Sequence, residues 1–176
     1  MNLQFKELQK EDIKEDIKEV ILLINEAYRG EKKDKAWTTE SHILDGIRVN
    51  EDMMKEILEE KNTKTYIAKV DNKIVGTIQA KLDGESIHIG LFAVDTKSQA
   101  SGIGKKLLEF AENSSSKLWQ KSTFLIEVIS TRTELMQYYI RRGYQNTNSF
   151  IEFPKSEHWT PNTNEELKLL VLKKTI

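Results

Sequence analysis

The run Val94-Asp95-Thr96-Lys97-Ser98-Gln99-Ala100-Ser101-Gly102-Ile103-Gly104-Lys105-Lys106-Leu107-Leu108 constrains the fold more than any other stretch of the chain. Before it, Ile87, Ile89, Leu91 and Ala93 alternate with other residues, the pattern of one buried face of a strand. After it, Leu107, Phe110, Ala111 and Leu118 recur at helical spacing. Between strand and helix lies a polar loop with two closely spaced glycines. A helix that starts on glycines turns several unpaired backbone N–H groups outward, and with the helix dipole these favour an anion such as a phosphate. Glycine suits that place because a β-carbon would hold the ligand away from the backbone.

Upstream, Leu3 to Leu8 alternates as a short first strand. Ile13, Ile17, Val20, Ile21, Ile24, Ala27 and Tyr28 then form the stripe of an amphipathic helix. Trp37 to Leu44 reads as the start of a second helix with Thr38 or Thr39 as N-cap, weakened at Asp45-Gly46. Asn50 caps another helix whose buried face is Met53, Met54, Ile57 and Leu58. From Thr65 the period changes to two. Thr65 to Val70, Lys73 to Lys81 and Glu85 to Asp95 are three strands, and the turns Asp71-Asn72 and Asp83-Gly84 make them an antiparallel meander. Downstream of the loop and its helix, Phe124 to Ile129 is a buried strand. Arg132 to Arg142 is a short helix stopped at Gly143, and two strands follow, Tyr144 to Phe153 and Leu167 to Lys173. Pro154 to Glu166, which carries both prolines, is a long polar connection of the kind that is more often functional than a plain link.

The chain has 176 residues and no repeat, low-complexity segment or linker, so residues 1–176 are expected to form a single domain. A net charge of -1 gives no electrostatic reason to expect nucleic acid or a membrane surface as partner. The absence of cysteine excludes disulfides, thiolate metal sites and a cysteine nucleophile. His42 and His158 stand without nearby ligand partners, so no metal site is expected. No apolar run approaches the roughly 18 to 20 residues of a membrane span. The charged N-terminus is unlike a secretory signal, and a cytoplasmic protein is the expectation.

The order strand, helices, meander, glycine loop, helix, strand, helix and two strands resembles the GCN5-related N-acetyltransferase (GNAT) superfamily. Its acetyl-CoA loop has the pattern Gln/Arg-x-x-Gly-x-Gly/Ala, here Gln99-Ala100-Ser101-Gly102-Ile103-Gly104. The downstream Tyr-x-x-x-Gly-aromatic pattern, Tyr139 to Tyr144, adds to it. Ala36 to Glu40, Arg132 to Leu135 and Tyr139 to Tyr144 resemble a poorly characterised subgroup of small acetyltransferases. The likeness covers nearly the whole chain. It implies an α+β fold in α/β/α layers, with a mixed, mostly antiparallel sheet of about seven strands and flanking helices.

It also implies acetyl-CoA as acetyl donor. Backbone N–H groups of Gln99, Ala100, Ser101, Gly102, Ile103, Gly104 and Lys105 would cradle the pyrophosphate. Phe92, Ala93 and Val94 would pair with the pantetheine arm, and the Val94 N–H would point at the acetyl carbonyl. Arg132 stands where many members have an asparagine that contacts the cofactor, and Ala100 where many have glycine.

Tyr139 stands at the family's general-acid position, four residues before the glycine that closes its helix, and a phenol with a pKa of about 10 can protonate a thiolate without being charged near neutrality. Packing in the core, or merely orienting the sulfur, is the alternative for it. Glu127, a carboxylate in an apolar strand, is the candidate base, with a salt bridge to Arg or Lys as its alternative. His88 reads as a sheet-surface residue. Trp37 and Glu40 are candidates for the acceptor pocket, against a helix cap with a buried tryptophan, and Trp159 is an alternative lid.

The implied activity is transfer of an acetyl group to a primary amine of a small molecule by direct attack. A protein or peptide N-acetyltransferase and a non-catalytic acetyl-CoA sensor are the rivals. Dimers are common in the superfamily, so a homodimer is among the expected assemblies. A Rossmann site fits worse because the third glycine is missing and no βαβ unit precedes it. A Walker loop is excluded by the absence of Gly-Lys-Ser/Thr at the required spacing.

Overall fold

A computed structural model describes residues 2–12, 14–29, 44–161 and 166–176, with the side chains of 44 and 45 left undescribed. Along the chain run β1 (Leu3–Leu8), α1 (Lys14–Arg29), β2 (Leu44–Gly46), α2 (Glu51–Glu59), β3 (Thr63–Val70), β4 (Lys73–Asp83) and β5 (Ser86–Val94). A 3₁₀ turn over Thr96–Ser101 leads into α3 (Ile103–Trp119). Then come β6 (Thr123–Ile129), α4 (Thr133–Ile140), β7 (Gln145–Glu152), β8 (Trp159–Pro161) and β9 (Lys168–Thr175).

The seven-stranded sheet has the order β1-β3-β4-β5-β6-β9-β7. All its pairings are antiparallel except β5 with β6. That one is parallel because α3 crosses over between its two strands. The expected layered fold is therefore present.

The meander follows from its turns. Asp71 and Asn72 take φ of 49° and 69°, and Gly84 takes 57°, the left-handed values a tight hairpin turn needs. At α2, the Asn50 side chain accepts from the Met53 N–H at 2.9 Å, as a cap should.

Two apolar layers sandwich the sheet. Val20, Leu23, Ile24 and Ala27 of α1, with Met54 of α2, bury one face. Leu107, Leu108 and Ala111 of α3, with Tyr139 of α4, bury the other. Phe124, Ile126 and Val128 point into that second layer, and each such side chain stabilises the fold by about 1.5–3 kcal/mol relative to exposure.

Three features depart from the sequence expectations. The alternation of Ile87, Ile89, Leu91 and Ala93 is not one face. Gln79 pairs with Gly90 and Thr77 with Ala93, so Leu91 and Phe92 together oppose Ile78 in a β-bulge, and Leu91 takes φ of 44°. The extra residue switches faces. Ile87 and Ile89 lie with Phe92 and Val94 in the α3 layer, whereas Leu91 and Ala93 lie in the α1 layer.

Next, Leu44–Gly46, which the sequence reads as part of and just beyond a helix entry, is a strand. Residues 37–43, with the proposed N-caps Thr38 and Thr39, lie outside the described residues. Finally, the Pro154–Glu166 connection contains β8, which pairs with β2 through Leu44↔Pro161, Asp45↔Thr160 and Gly46↔Trp159. The ribbon needs a glycine at its crossing. Gly46 has φ of 109°, and a β-carbon there would stand 2.0 Å from the His158 carbonyl oxygen.

Candidate active site

Strands β5 and β6 are paired only from Ser86↔Thr123 to Ile89↔Ile126. Beyond that point they part, and the site sits in the gap. Among the described residues, the β5 edge from Gly90 to Val94 has β4 on one side and no strand on the other. Apart from the Phe92 and Val94 carbonyls, which accept from Tyr28 and Gln99, its outer backbone groups have no strand to pair with, as at an unpaired strand edge.

On one side of the gap is a cleft of about 540 Å³, lined by Phe92, Val94, Gln99, Gly104, Thr133, Glu134, Leu135, Gln137, Tyr138, Tyr139 and Arg141. On the other is a cavity of about 250 Å³ whose walls include Tyr28, Arg48, Phe92, Glu127, Tyr139 and Trp159. Phe92, Leu135 and Tyr139 belong to both walls. The two spaces therefore meet at the bulge and at Tyr139.

The glycine loop closes the larger cleft. Gly102, at φ of 77°, precedes α3, and no side chain caps the helix start. The Gln99 Nε2 donates to the Val94 carbonyl at 3.1 Å, which ties the loop to the end of β5. Ala100, Ser101, Gly102 and Lys105 face solvent. Ile103 is buried in the core, so only its backbone is available to a ligand in front of the helix. The same holds for Ala93, whose side chain lies in the opposite layer. Arg132 is 8% exposed and caps α4 through its backbone. It is absent from the described cleft walls, where its neighbours Thr133 and Glu134 appear instead.

Tyr139 is buried beside Tyr138 (5.4 Å between ring centroids), Tyr144 (5.8 Å) and Phe92 (6.4 Å). Burial pushes its phenol well above the usual tyrosine range. Tyr28 and Tyr138 push the same way, and the positive charges of Arg142 and Arg132 oppose them. Tyr139 thus keeps its proton at neutral pH and remains a donor.

The Tyr-x-x-x-Gly-aromatic spacing has a structural cause. Gly143, at φ of 96°, turns the chain at the end of α4, so that the Tyr144 N–H donates to the Tyr139 carbonyl at 3.2 Å. The Tyr144 hydroxyl and the Lys174 Nζ then both donate to the buried Glu112 of α3, each at 2.7 Å. This satisfied buried pair locks α4 to α3 and β9, and so fixes Tyr139 relative to the glycine loop.

Glu127 projects where β6 has left β5. Its Oε1 lies 3.4 Å from the His88 Nδ1, with side chains 36% and 31% exposed respectively. The sequence alternative for Glu127 is a salt bridge to Arg or Lys; the neighbour found is His88, which the parallel register brings alongside. The His88 imidazole is raised above its ordinary value chiefly by its hydrogen bond to Glu127, against the opposing effect of burial. A raised folded value means that the ion pair stabilises fully below the unfolded value of 6.5 and is lost as pH rises through the higher folded value. An NMR titration should therefore give His88 a midpoint above 6.5, falling in Glu127→Gln. A midpoint at or below 6.5 would reject the pairing.

Several wall residues escaped the sequence reading. The Tyr28 hydroxyl donates to the Phe92 carbonyl at 2.9 Å and so braces the bulge against α1. The Asn25 Oδ1 accepts from the backbone N–H of Arg48 and of Val49 at 2.8 and 3.1 Å, while its Nδ2 donates to the Val49 carbonyl at 2.8 Å. A polar residue beside the α1 stripe was the available signal. Tyr138 reaches over Gly104, where a β-carbon would stand 2.9 Å from its hydroxyl. Trp159, the alternative lid, lines the smaller cavity, whereas Trp37 and Glu40 lie outside the described residues.

Residues 25–160 match the acetyltransferase (GNAT) domain family. The chain belongs to that family. An uncharacterised N-acetyltransferase of Methanocaldococcus jannaschii is 30% identical over 81 residues, 46% of this chain and 52% of that protein. The chain thus spans about half the length of that curated relative. The ribosomal-protein-S18-alanine N-acetyltransferase of Escherichia coli superposes with a TM-score of 0.68 at 12% identity, covering 99% of this chain and 94% of that one. A GNAT acetyltransferase of Elizabethkingia anophelis with acetyl-CoA bound gives 0.65 at 18% identity, covering 99% of each chain. The PaiA N-acetyltransferase of Thermoplasma acidophilum, in complex with coenzyme A, gives 0.64 at 14%, covering 100% of each. At these identities the GNAT fold is what the structures share. Among the described residues, no helix is long and apolar enough to cross a membrane, and no His/Cys/Asp/Glu group could hold a metal ion.

Proposed function

We propose that this GNAT protein is an acetyl-CoA-dependent N-acetyltransferase that moves an acetyl group to a primary amine of a small molecule by direct attack. The observation that carries this reading is the meeting of the two cavities at Tyr139 and the bulge. On this reading the larger space takes the donor and the smaller the acceptor.

The larger cleft fits acetyl-CoA. It offers a strand edge and an uncapped helix start, with Tyr138 lying over Gly104. The backbone of Phe92, Ala93 and Val94 would hold the pantetheine arm, with the Val94 N–H toward the acetyl carbonyl, where negative charge develops on attack. The N–H groups from Gln99 to Lys105 would hold the pyrophosphate. Bound acetyl-CoA supplies the acetyl group and the thiolate leaving group.

Tyr139 donates its proton to the departing sulfur. Burial keeps the phenol neutral and also makes it a weaker acid, so donation needs a thiolate that is equally poorly solvated. Glu127, steadied by His88, accepts the amine's proton directly or through one water. Arg132, outside the described wall of the larger cleft but next to its Thr133, remains proposed as a donor contact. Trp37 and Glu40 remain proposed for the acceptor side. A cavity of about 250 Å³ favours a small amine over a folded protein surface.

A screen of small amines with acetyl-CoA, following free thiol, tests the reading and should find turnover with at least one class. Transfer only to peptides would move the acceptor to the protein class. Tight acetyl-CoA binding without transfer to any amine would make the chain a sensor.

A further inference from the structure

Among its described lining residues, the smaller cavity holds a cation that an amine acceptor does not call for. A protonated amine would be drawn by carboxylates, yet Glu127 is the single carboxylate among those residues, and Arg48 stands in the same wall. Arg48 is also held in place. Its backbone is fixed by Asn25, and its guanidinium carbon lies 5.5 Å from the Tyr28 ring centroid and 5.9 Å from that of Trp159. Two aromatic faces keep a guanidinium extended without neutralising it. No carboxylate pairs with Arg48 among the described residues.

A second observation points the same way. The Trp159 indole Nε1 is buried and has no acceptor among the described residues. It belongs to the same wall as Arg48. A buried N–H without an acceptor is unfavourable, and an anionic oxygen is the acceptor that would also answer the guanidinium. The β2–β8 ribbon brings the two groups together. Gly46 pairs with Trp159, and the Ile47 N–H donates to the His158 carbonyl at 3.0 Å, just before Arg48.

We infer that the acceptor carries a carboxylate besides its amine, and that Arg48 and the Trp159 indole N–H bind that carboxylate. The amine end then faces Glu127 and the meeting point at Tyr139. The substrate class is thus an amino acid or a related amino carboxylate. This inference rests on the N-acetyltransferase reading above.

The test compares glycine, β-alanine and 4-aminobutyrate with their carboxamides, using the full chain and acetyl-CoA and following thiol release. At least one acid should exceed its amide in kcat/KM by roughly tenfold or more, the size expected of a charge-assisted contact. That ratio should fall toward one in Arg48→Gln and narrow in Trp159→Phe, which keeps the ring and removes only the donor. A ratio near one in the unaltered chain, or one unmoved by Arg48→Gln, overturns the inference.

A calorimetric arm separates it from the parent reading. The N-acetylated acids and their amides are titrated into the protein saturated with coenzyme A. If no amine turns over but the acids alone bind, and Arg48→Gln abolishes that binding, the carboxylate site stands and the transferase reading falls. If the acids do not bind better than the amides, the carboxylate site falls. Should Arg48→Gln fail to fold, Trp159→Phe decides by the same two readouts.

Discussion

Replacing Tyr139 by Phe should lower kcat by about a hundredfold or more while leaving KM for acetyl-CoA within a few fold, the scale of a lost general acid. The substitution keeps the ring that packs between Tyr138, Tyr144 and Phe92, so the aromatic cluster is preserved. Only the hydroxyl is removed. The two readings of Tyr139 predict different kinetics. A residue that merely fills the core would leave turnover unchanged in the Phe variant. One that donates to the sulfur takes kcat down with it. Because burial holds the phenol above its ordinary range, no loss of activity through Tyr139 ionisation is expected at mildly alkaline pH. Steady-state kinetics with a saturating amine, on wild type and Tyr139→Phe alike, reads both points.

The second large effect is expected at Gly104. A β-carbon there would stand 2.9 Å from the Tyr138 hydroxyl, 3.4 Å from the Val94 Cγ2 and 3.6 Å from the Phe92 Cζ. Those atoms belong to the wall of the larger cleft, so a side chain at this place projects into the proposed donor site. The backbone at Gly104 is ordinary helix, and the strain argument that applies to Gly46 does not apply here. Gly104→Val should therefore fold, with Tyr138 displaced, and should weaken coenzyme A binding about tenfold, in line with roughly 1–3 kcal/mol of overpacking. Calorimetric titration of coenzyme A, beside a helical circular dichroism spectrum, checks both halves. An unchanged affinity would move the donor site away from the start of α3.

Much of the frame was legible because short-range chemistry wrote it. Asp71-Asn72 and Asp83-Gly84 are turn formers whatever surrounds them, Asn50 is a cap, and Gly143 ends a helix. The glycine loop was legible as a helix start for the same reason, whereas the Tyr139 to Tyr144 spacing comes from the family resemblance; Gln99, Gly104 and Tyr139 line the larger cleft. What stayed hidden depends on partners far apart in sequence. Leu91 has no residue-type signal for a left-handed conformation; the bulge is imposed by the pairing with β4 and braced by Tyr28. Three residues at Trp159–Pro161 carry no strand pattern of their own and become a strand only by meeting Leu44–Gly46. Glu127 was visible as a charge in an apolar run, yet its partner His88 emerges only once β5 and β6 are laid parallel. The same long-range dependence hid Arg48, whose meaning comes from Asn25, Tyr28 and Trp159 together.

The ribbon of β2 and β8 stands apart from the seven-stranded sheet, and it carries Trp159 and leads into Arg48. The donor side is built differently, from the sheet edge and from helices locked by the buried Glu112 cluster. The two halves of the site thus draw on separate structural resources. Changes on the ribbon can alter which acceptor is taken without disturbing the core that holds the fold together. On the proposed reading, acceptor choice in this scaffold is open to redesign through the ribbon without touching the residues proposed to hold the donor.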